Sequence, residues 1–254
     1  MELQEIITLV KKAKTFVQNR ERVGHIKVKG PADYVTQVDT DIQNFLAKEL
    51  GRLAPEIQFL GEEEGLHEMT GDTYWILDPI DGTTNLIHDY QHSVVSLALY
   101  EKGEITTGII YDPFREDVYH AKKGKGSFLN GSPISVSDAE TLGETIVAIG
   151  TSPYDRELTE ENFCRFRRVF EKSQDIRRTG SAALDLANVA CGRMGGFFET
   201  LLSPWDFAAG MLLVTEAGGR VTNYAGEPLS FLSRGSVIAT NGRVHEELRG
   251  LVAL

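Results

Sequence analysis

Apolar residues recur along the chain in two rhythms. Leu3, Ile6, Ile7, Val10, Ala13 and Val17 fall at three- and four-residue steps, which collects them on one face of a helix over 3–17. The same period returns at Ile42, Phe45, Leu46 and Leu50, beyond the breaks at Gly24 and Gly30-Pro31, and predicts a second helix over 39–53. Short apolar runs follow at 57–60, 75–77, 94–100, 105–111 and 118–121, with breakers such as Gly71, Gly103 and Asp112-Pro113 between them. They predict a largely antiparallel sheet. The second half alternates. Short strands at 146–149, Ile176 and Phe197-Phe198 are separated by helical stretches at 160–170 and 182–191, as in an α/β layer. A helix over 205–217 stops at Gly218-Gly219, strand character returns at Val221 and 237–239, and a closing helix starts near His245. With no repeat, low-complexity tract or Pro/Ser-rich linker, residues 1–254 are expected to form one unit with two possible lobes, 1–142 and 143–254.

Composition narrows the class. With 41% hydrophobic residues and a formal net charge of -11, a soluble acidic protein is expected. The excess of Asp and Glu repels phosphate backbones, so extended nucleic-acid contact is not expected. No apolar run approaches the ~20 residues that span a bilayer. The opening MELQEIITLVKKAK mixes acids into its apolar positions, unlike a secretory signal. Two cysteines, Cys164 and Cys191, can form neither a disulfide framework nor a four-thiolate zinc site, and their scarcity points to a reducing, cytoplasmic compartment. Both are expected to pack rather than react, and Arg165, Arg167 and Arg168 to form a solvated helix face. His88 and His92 are expected to be structural.

The chemistry concentrates where apolar runs end in acids. Trp75-Ile76-Leu77 leads straight into Asp78-Pro79-Ile80-Asp81-Gly82-Thr83-Thr84-Asn85. Pro79 lacks an N–H and holds its predecessor extended, so Asp78 is expected to finish a strand, with Asp81 one turn later facing the same pocket. Close like charges need a proton or a cation between them, and an oxygen-only donor set suits Mg2+ or Mn2+ better than zinc. Gly82-Thr83-Thr84-Asn85 would open a helical turn whose free N–H groups attract phosphate oxygens. The same string is also ordinary turn chemistry. Leu60-Gly61-Glu62-Glu63-Glu64 repeats the strand-into-acids pattern and reads equally as a solvated loop. Asp206, behind Pro204-Trp205, reads equally as a helix cap. Together the three clusters can supply a multi-cation site that holds a phosphate ester for in-line attack by water.

Gly61-Glu62-Glu63, the Asp78-to-Asn85 string, Trp205-Asp206-Phe207-Ala208-Ala209-Gly210 and Thr215-Glu216-Ala217-Gly218-Gly219 share the order and spacing of one family. On these motifs the chain resembles, nearly end to end, the inositol monophosphatase family of magnesium-dependent, lithium-sensitive phosphatases. The resemblance implies an α/β (α+β) fold, a layered α-β-α-β-α sandwich of the type shared with fructose-1,6-bisphosphatase. It implies Mg2+ as cofactor, with Mn2+ a possible substitute. Glu62, Asp78 and the Ile80 carbonyl would hold a first ion, Asp78, Asp81 and Asp206 a second, with a third near Glu62. Glu62 and Thr83 would orient the attacking water, with Thr83 paired to Asp39. Lys29 would approach the phosphate from an active-site loop over 29–39. Asp81 and the Gly82 and Thr83 amides would hold the substrate, Glu199 and Asp206 its ring hydroxyls, and Gly180, Ser181 and Ala182 a further edge. On its own, Glu199 reads as a surface residue at a strand end.

The implied activity is phosphate monoester hydrolysis by metal-activated water in a homodimer, with inositol 1-phosphate the first candidate substrate. Fructose 1,6-bisphosphate, NADP and 3'-phosphoadenosine 5'-phosphate are alternatives, the last disfavoured by Thr83-Thr84-Asn85, where bisphosphate nucleotidases more often carry a lysine. Leu201-Leu202-Ser203-Pro204 departs from the more polar lead-in of several relatives and leaves the alcohol open. A metal-binding regulatory homologue without turnover is the non-enzymatic alternative.

Overall fold

The computed structural model describes residues 2–30, 33–64, 71–231 and 233–253. The helix expected over 3–17 is two, α1 (Leu3–Lys11) and α2 (Ala13–Val17). At Lys12 the bonding tightens, its N–H reaching Leu9 O at 3.0 Å. The apolar face stays continuous, and Ile6, Ile7, Val10, Ala13 and Val17 are all buried. Helix α3 (Arg20–Val23) leads into a hairpin of β1 (Ile26–Gly30) and β2 (Asp33–Thr36). The segment expected as a loop is therefore mostly strand, and its Pro31 and Ala32 lie outside the described residues. Helix α4 (Gln37–Leu53) begins before its first periodic residue because Thr36 caps it: Val38 N–H donates to Thr36 Oγ1 at 3.1 Å, and Asp39 accepts the Thr36 N–H at 2.9 Å.

The first half continues through β3 (Gln58–Gly61), β4 (Thr73–Asp81), α5 (Thr83–Ile87), β5 (Val94–Glu101), β6 (Glu104–Asp112), β7 (Asp117–Lys122), β8 (Ser127–Leu129) and β9 (Ser132–Ile134). These strands pair in sequence order, and only β3 and β4 run parallel. The last two were not foreseen, because three residues are too few to show alternation. The second half contains β10 (Ile146–Ile149), α6 (Thr159–Phe170), β11 (Asp175–Arg177), α7 (Ala182–Ala190), β12 (Gly196–Leu202), α8 (Pro204–Glu216), β13 (Arg220–Thr222), β14 (Gly235–Thr240) and α9 (His245–Val252). Its sheet has the order β11-β10-β12-β14-β13 and is mixed, with β10 parallel to both neighbours.

Alternation along the strands builds the layers. In β4, Trp75 and Leu77 pack against α1, α2 and α4, whereas Tyr74 and Ile76 face α7 and α8. In β12, Phe197 faces those central helices and Phe198 faces α6 and α9 on the far side. The result is the expected α-β-α-β-α sandwich. Its central cluster takes side chains from both halves of the chain. Every residue of α7 is buried, as a helix between two sheets requires. Helix α8 lies so close to β6 that a Cβ at Gly108 would come within 2.8 Å of Ala209 O. No helix among the described residues is long and apolar enough to cross a membrane.

Two expectations about α6 fail, each at one residue, while Arg167 and Arg168 are exposed as expected. Arg165 is buried, not solvated: it donates to Val252 O at 2.7 Å, pairs with Glu161 and lies over the Tyr224 ring. Cys164 is exposed rather than packed. The helical period was right, but its orientation depends on a core formed with α9.

His245, at the start of α9, is wholly buried, with one ring nitrogen 3.0 Å from Thr222 Oγ1 and the other 3.0 Å from Thr240 Oγ1. Burial, aided by Arg220, lowers its pKa to about 4. The unfolded chain takes up this proton near pH 6.5, whereas the folded one resists it. This contribution to stability is therefore complete above that range and is lost as the pH falls from about 6.5 to about 4, by roughly 3 kcal/mol. Urea unfolding at pH 7 and pH 4.5 should show a smaller acid-induced loss in His245→Gln than in the wild type; equal losses would contradict this account.

Candidate active site

The acids meet because of a defect in a strand. Strand β4 does not stop at Asp78 as expected but runs through Asp81. Asp78 pairs with Ser96 and Asp81 with Val94, so three steps on β4 face two on β5. In a regular strand, residues three apart point to opposite faces; the extra residue of the bulge cancels that inversion and turns both carboxylates to one side. Pro79, which has no N–H for the ladder, sits within the irregularity.

Helix α8 brings the third acid. Pro204 fills its first turn and Asp206 closes a capping box, accepting the Ser203 N–H at 2.7 Å. The cap reading and the site reading of Asp206 therefore hold together. Asp78, Asp81 and Asp206 each offer a carboxylate oxygen, and these oxygens lie within 4.8 Å of one another. Asp81 Oδ2 accepts Ser181 Oγ–H and the Ala183 N–H, both at 2.6 Å, and Asp78 Oδ1 accepts the Ile80 N–H at 2.9 Å. The Ser181 and Ala183 donors to Asp81 and the Ser203 donor to Asp206 all reach Oδ2. Glu62, in the turn after β3, lies near enough to Asp78 for each carboxyl to act on the other.

The electrostatics follow from crowding. Burial raises the pKa of Asp78 and Asp206 well above the carboxylate range, and the neighbouring carboxylates raise it further. Asp81 is raised by burial despite its donors, and Glu62 reaches about 8 through burial and the charge of Glu63. Such a group cannot ionise fully without a counter-charge. Its donors are all oxygen, with no thiol or imidazole, which fits a hard divalent ion such as Mg2+ or Mn2+.

The neighbouring groups are also in place. Thr83 Oγ1 lies 2.8 Å from Asp39 Oδ1 and 3.0 Å from Ile80 O, and Asp39 is wholly buried. Lys29 pairs with Glu63 at 2.8 Å and lies 3.9 Å from Glu62. Burial opposes its charge, but the Glu63 hydrogen bond and the two carboxylates outweigh that and raise its pKa. Two adjoining cavities of about 520 and 340 Å³ share Asp81, Gly82, Thr83, Tyr154, Glu199 and Asp206 in their walls and form one cleft. Ala182 lines the larger. Ser181, expected at the same edge, is 1% exposed and spends its hydroxyl on Asp81.

Glu199 is buried in the cleft wall, not on the surface as its local sequence suggests. Burial pushes its pKa up to about 7 against the pull of Arg178. The Ser152 N–H donates to it at 2.7 Å, and a Cβ at Gly150 would fall 1.9 Å from Glu199 Oε2, so only glycine leaves room for the acid. Gly150, Ser152, Tyr154 and Arg178 were not foreseen as part of this cleft. A glycine directly after the β10 run was the one available signal. His88 lines the larger cavity, and His92 stacks on Tyr90 with ring centroids 4.6 Å apart.

A sequence model described as the inositol monophosphatase family matches residues 2–253. The chain is 40% identical over 235 residues to an inositol-1-monophosphatase of Synechocystis, covering 91% of this chain and 81% of that protein. It is 41% identical over 217 residues to the Nus factor SuhB of Escherichia coli K12, covering 85% and 81%. Among solved structures, the extragenic suppressor protein SuhB of Bartonella henselae superposes with a TM-score of 0.91 at 34% identity, covering 98% of both chains. Sequence match, relatives and shared architecture agree, and the chain belongs to the inositol monophosphatase family.

Proposed function

We propose that this protein is a Mg2+-dependent phosphatase that hydrolyses a small phosphate monoester, with inositol 1-phosphate the leading substrate. The observation that carries the reading is the convergence of the Asp78, Asp81 and Asp206 carboxylates within 4.8 Å, beside the Gly82–Thr83 turn. Asp78, Asp81, Asp206 and Glu62, with the Ile80 carbonyl, would hold the metal. When bound, Mg2+ supplies positive charge that neutralises acids and phosphate together and makes water a stronger nucleophile.

The protein's own groups do the rest. The N–H groups of Gly82 and Thr83 hold the phosphate oxygens at the opening of α5. Thr83 donates its hydroxyl proton to Asp39, which leaves its lone pairs to accept from the attacking water and aim it at phosphorus. Glu62 takes the proton that the water gives up. Glu199 receives a hydroxyl of the alcohol, and Lys29 offsets the charge of Glu62 and Glu63 from the other side. The same reading carries the homodimer, the lithium inhibition and the cytoplasmic location expected above. A regulatory role without turnover, which the name Nus factor of one relative raises, would not require this set of acids around Thr83.

Asp81→Asn and Asp206→Asn should each lower Mg2+-dependent phosphate release by about 100-fold or more and weaken Mg2+ uptake in calorimetry, with the melting temperature held or raised. Near-wild-type turnover in both would contradict the assignment. A phosphate-release panel of inositol 1-phosphate, fructose 1,6-bisphosphate, NADP and 3'-phosphoadenosine 5'-phosphate ranks the substrates. Glu199→Gln and Gly150→Ala should both reduce the preference for inositol 1-phosphate over p-nitrophenyl phosphate, the second by displacing the Glu199 carboxylate. Equal losses on both substrates would make Glu199 structural.

A further inference from the structure

Residues 150–156 form the wall of the cleft that faces the Gly82–Thr83 turn. This loop is pinned at two points. Ser152 is 2% exposed and adopts a left-handed φ of 43°, uncommon for a residue with a side chain. Its N–H is held by Glu199 at 2.7 Å, and its Oγ accepts the Leu201 N–H at 3.2 Å. Asp155 is held at 2.8 Å by Arg234, which lines the smaller cavity. Strain at Ser152 that its partners over-determine marks a loop held in one shape for a purpose.

Tyr154 stands between the two pins. It lines both cavities of the cleft, where they join, yet remains 50% exposed. Its hydroxyl has no hydrogen-bond partner among the described residues. At neutral pH a phenol carries its proton, so this hydroxyl can donate. An aromatic ring with one unspent donor, lining the same two cavities as the buried acceptor Glu199, has the chemistry that recognises a polyhydroxylated ring. The apolar face covers ring carbons, the phenol donates to one hydroxyl, and Glu199 accepts from another.

We propose that Tyr154 is a specificity-determining residue that contacts the alcohol portion of the substrate, and that with Glu199 it selects cyclic polyol phosphates. This rests on the phosphatase reading above. The cost of leaving a hydroxyl of the right substrate unpaired gives the site its discrimination.

The test compares the wild type with Tyr154→Phe and Tyr154→Ala, using inositol 1-phosphate and p-nitrophenyl phosphate with Mg2+. Tyr154→Phe should lower the preference for inositol 1-phosphate roughly 3–10-fold, through KM rather than kcat, because a ground-state contact is lost. Tyr154→Ala should lower it further. No change in preference, or a fall in kcat alone, would overturn the proposal. Calorimetric binding of inositol 1-phosphate with Ca2+ in place of Mg2+ gives a readout independent of turnover. Weaker binding by Tyr154→Phe, together with a wild type that hydrolyses neither compound, would keep Tyr154 in its place and defeat the phosphatase reading instead. Equal binding by wild type and Tyr154→Phe would overturn the proposal whatever the turnover. Melting temperatures show whether the loop keeps its hold in each variant.

Discussion

The mutual repulsion of four crowded carboxylates governs this structure. Asp78, Asp81, Asp206 and Glu62 come from three separate elements and are brought together where burial makes their charge most costly. Left alone, such a group would take up protons or push its elements apart. The scaffold resists through fixed donors: Ser181 and Ala183 on Asp81, the Ser203 N–H on Asp206, the Ile80 N–H on Asp78. A divalent cation would resolve the remaining charge, and would also let a chain of net charge -11 accept an anionic ester.

The layered fold provides this arrangement because each layer presents one edge to the cleft. Strand β4 supplies two acids through its bulge, α7 and its cap supply the donors to Asp81, and α8 supplies the third acid from its first turn. The first turns of α7 and α8 both meet the acids, and their dipoles favour negative charge there. Close packing fixes the distances. The approach of α8 to β6 at Gly108 and the fit of Glu199 beside Gly150 leave little room for any of these groups to drift.

The acids and the proposed specificity residue Tyr154 stand on different kinds of structure. The acids and Thr83 sit on strand ends and helix starts, the stiffest positions available. The wall opposite belongs to a loop, pinned by Ser152 and by the Asp155–Arg234 pair. A loop can change sequence without disturbing the core, so one metal cluster can serve different alcohols across a family. Relatives named as a phosphatase and as a Nus factor share about the same identity with this chain.

The sequence by itself determined the longer elements and most of the acids, though not the β1–β2 hairpin or the three-residue strands β8 and β9. Helical period and strand runs are local, and an acid that follows an apolar run is visible at once, as at Asp78, Asp81 and Glu62. The family motifs also ordered the layers correctly. What needed the tertiary structure was everything set by residues distant in the chain. That Asp81 faces the same side as Asp78 depends on the register against Val94 and Ser96, not on a turn after Pro79. That Glu199 is buried depends on Ser152, 47 residues away, and the burial of Arg165 depends on Val252, 87 residues away. Ser181 was legible as part of the site, but its task of holding Asp81 across 100 residues was not. The physical reason is the same in each case: periodicity reports which side chains share a face, whereas desolvation and hydrogen bonding depend on what that face meets once the chain has closed on itself.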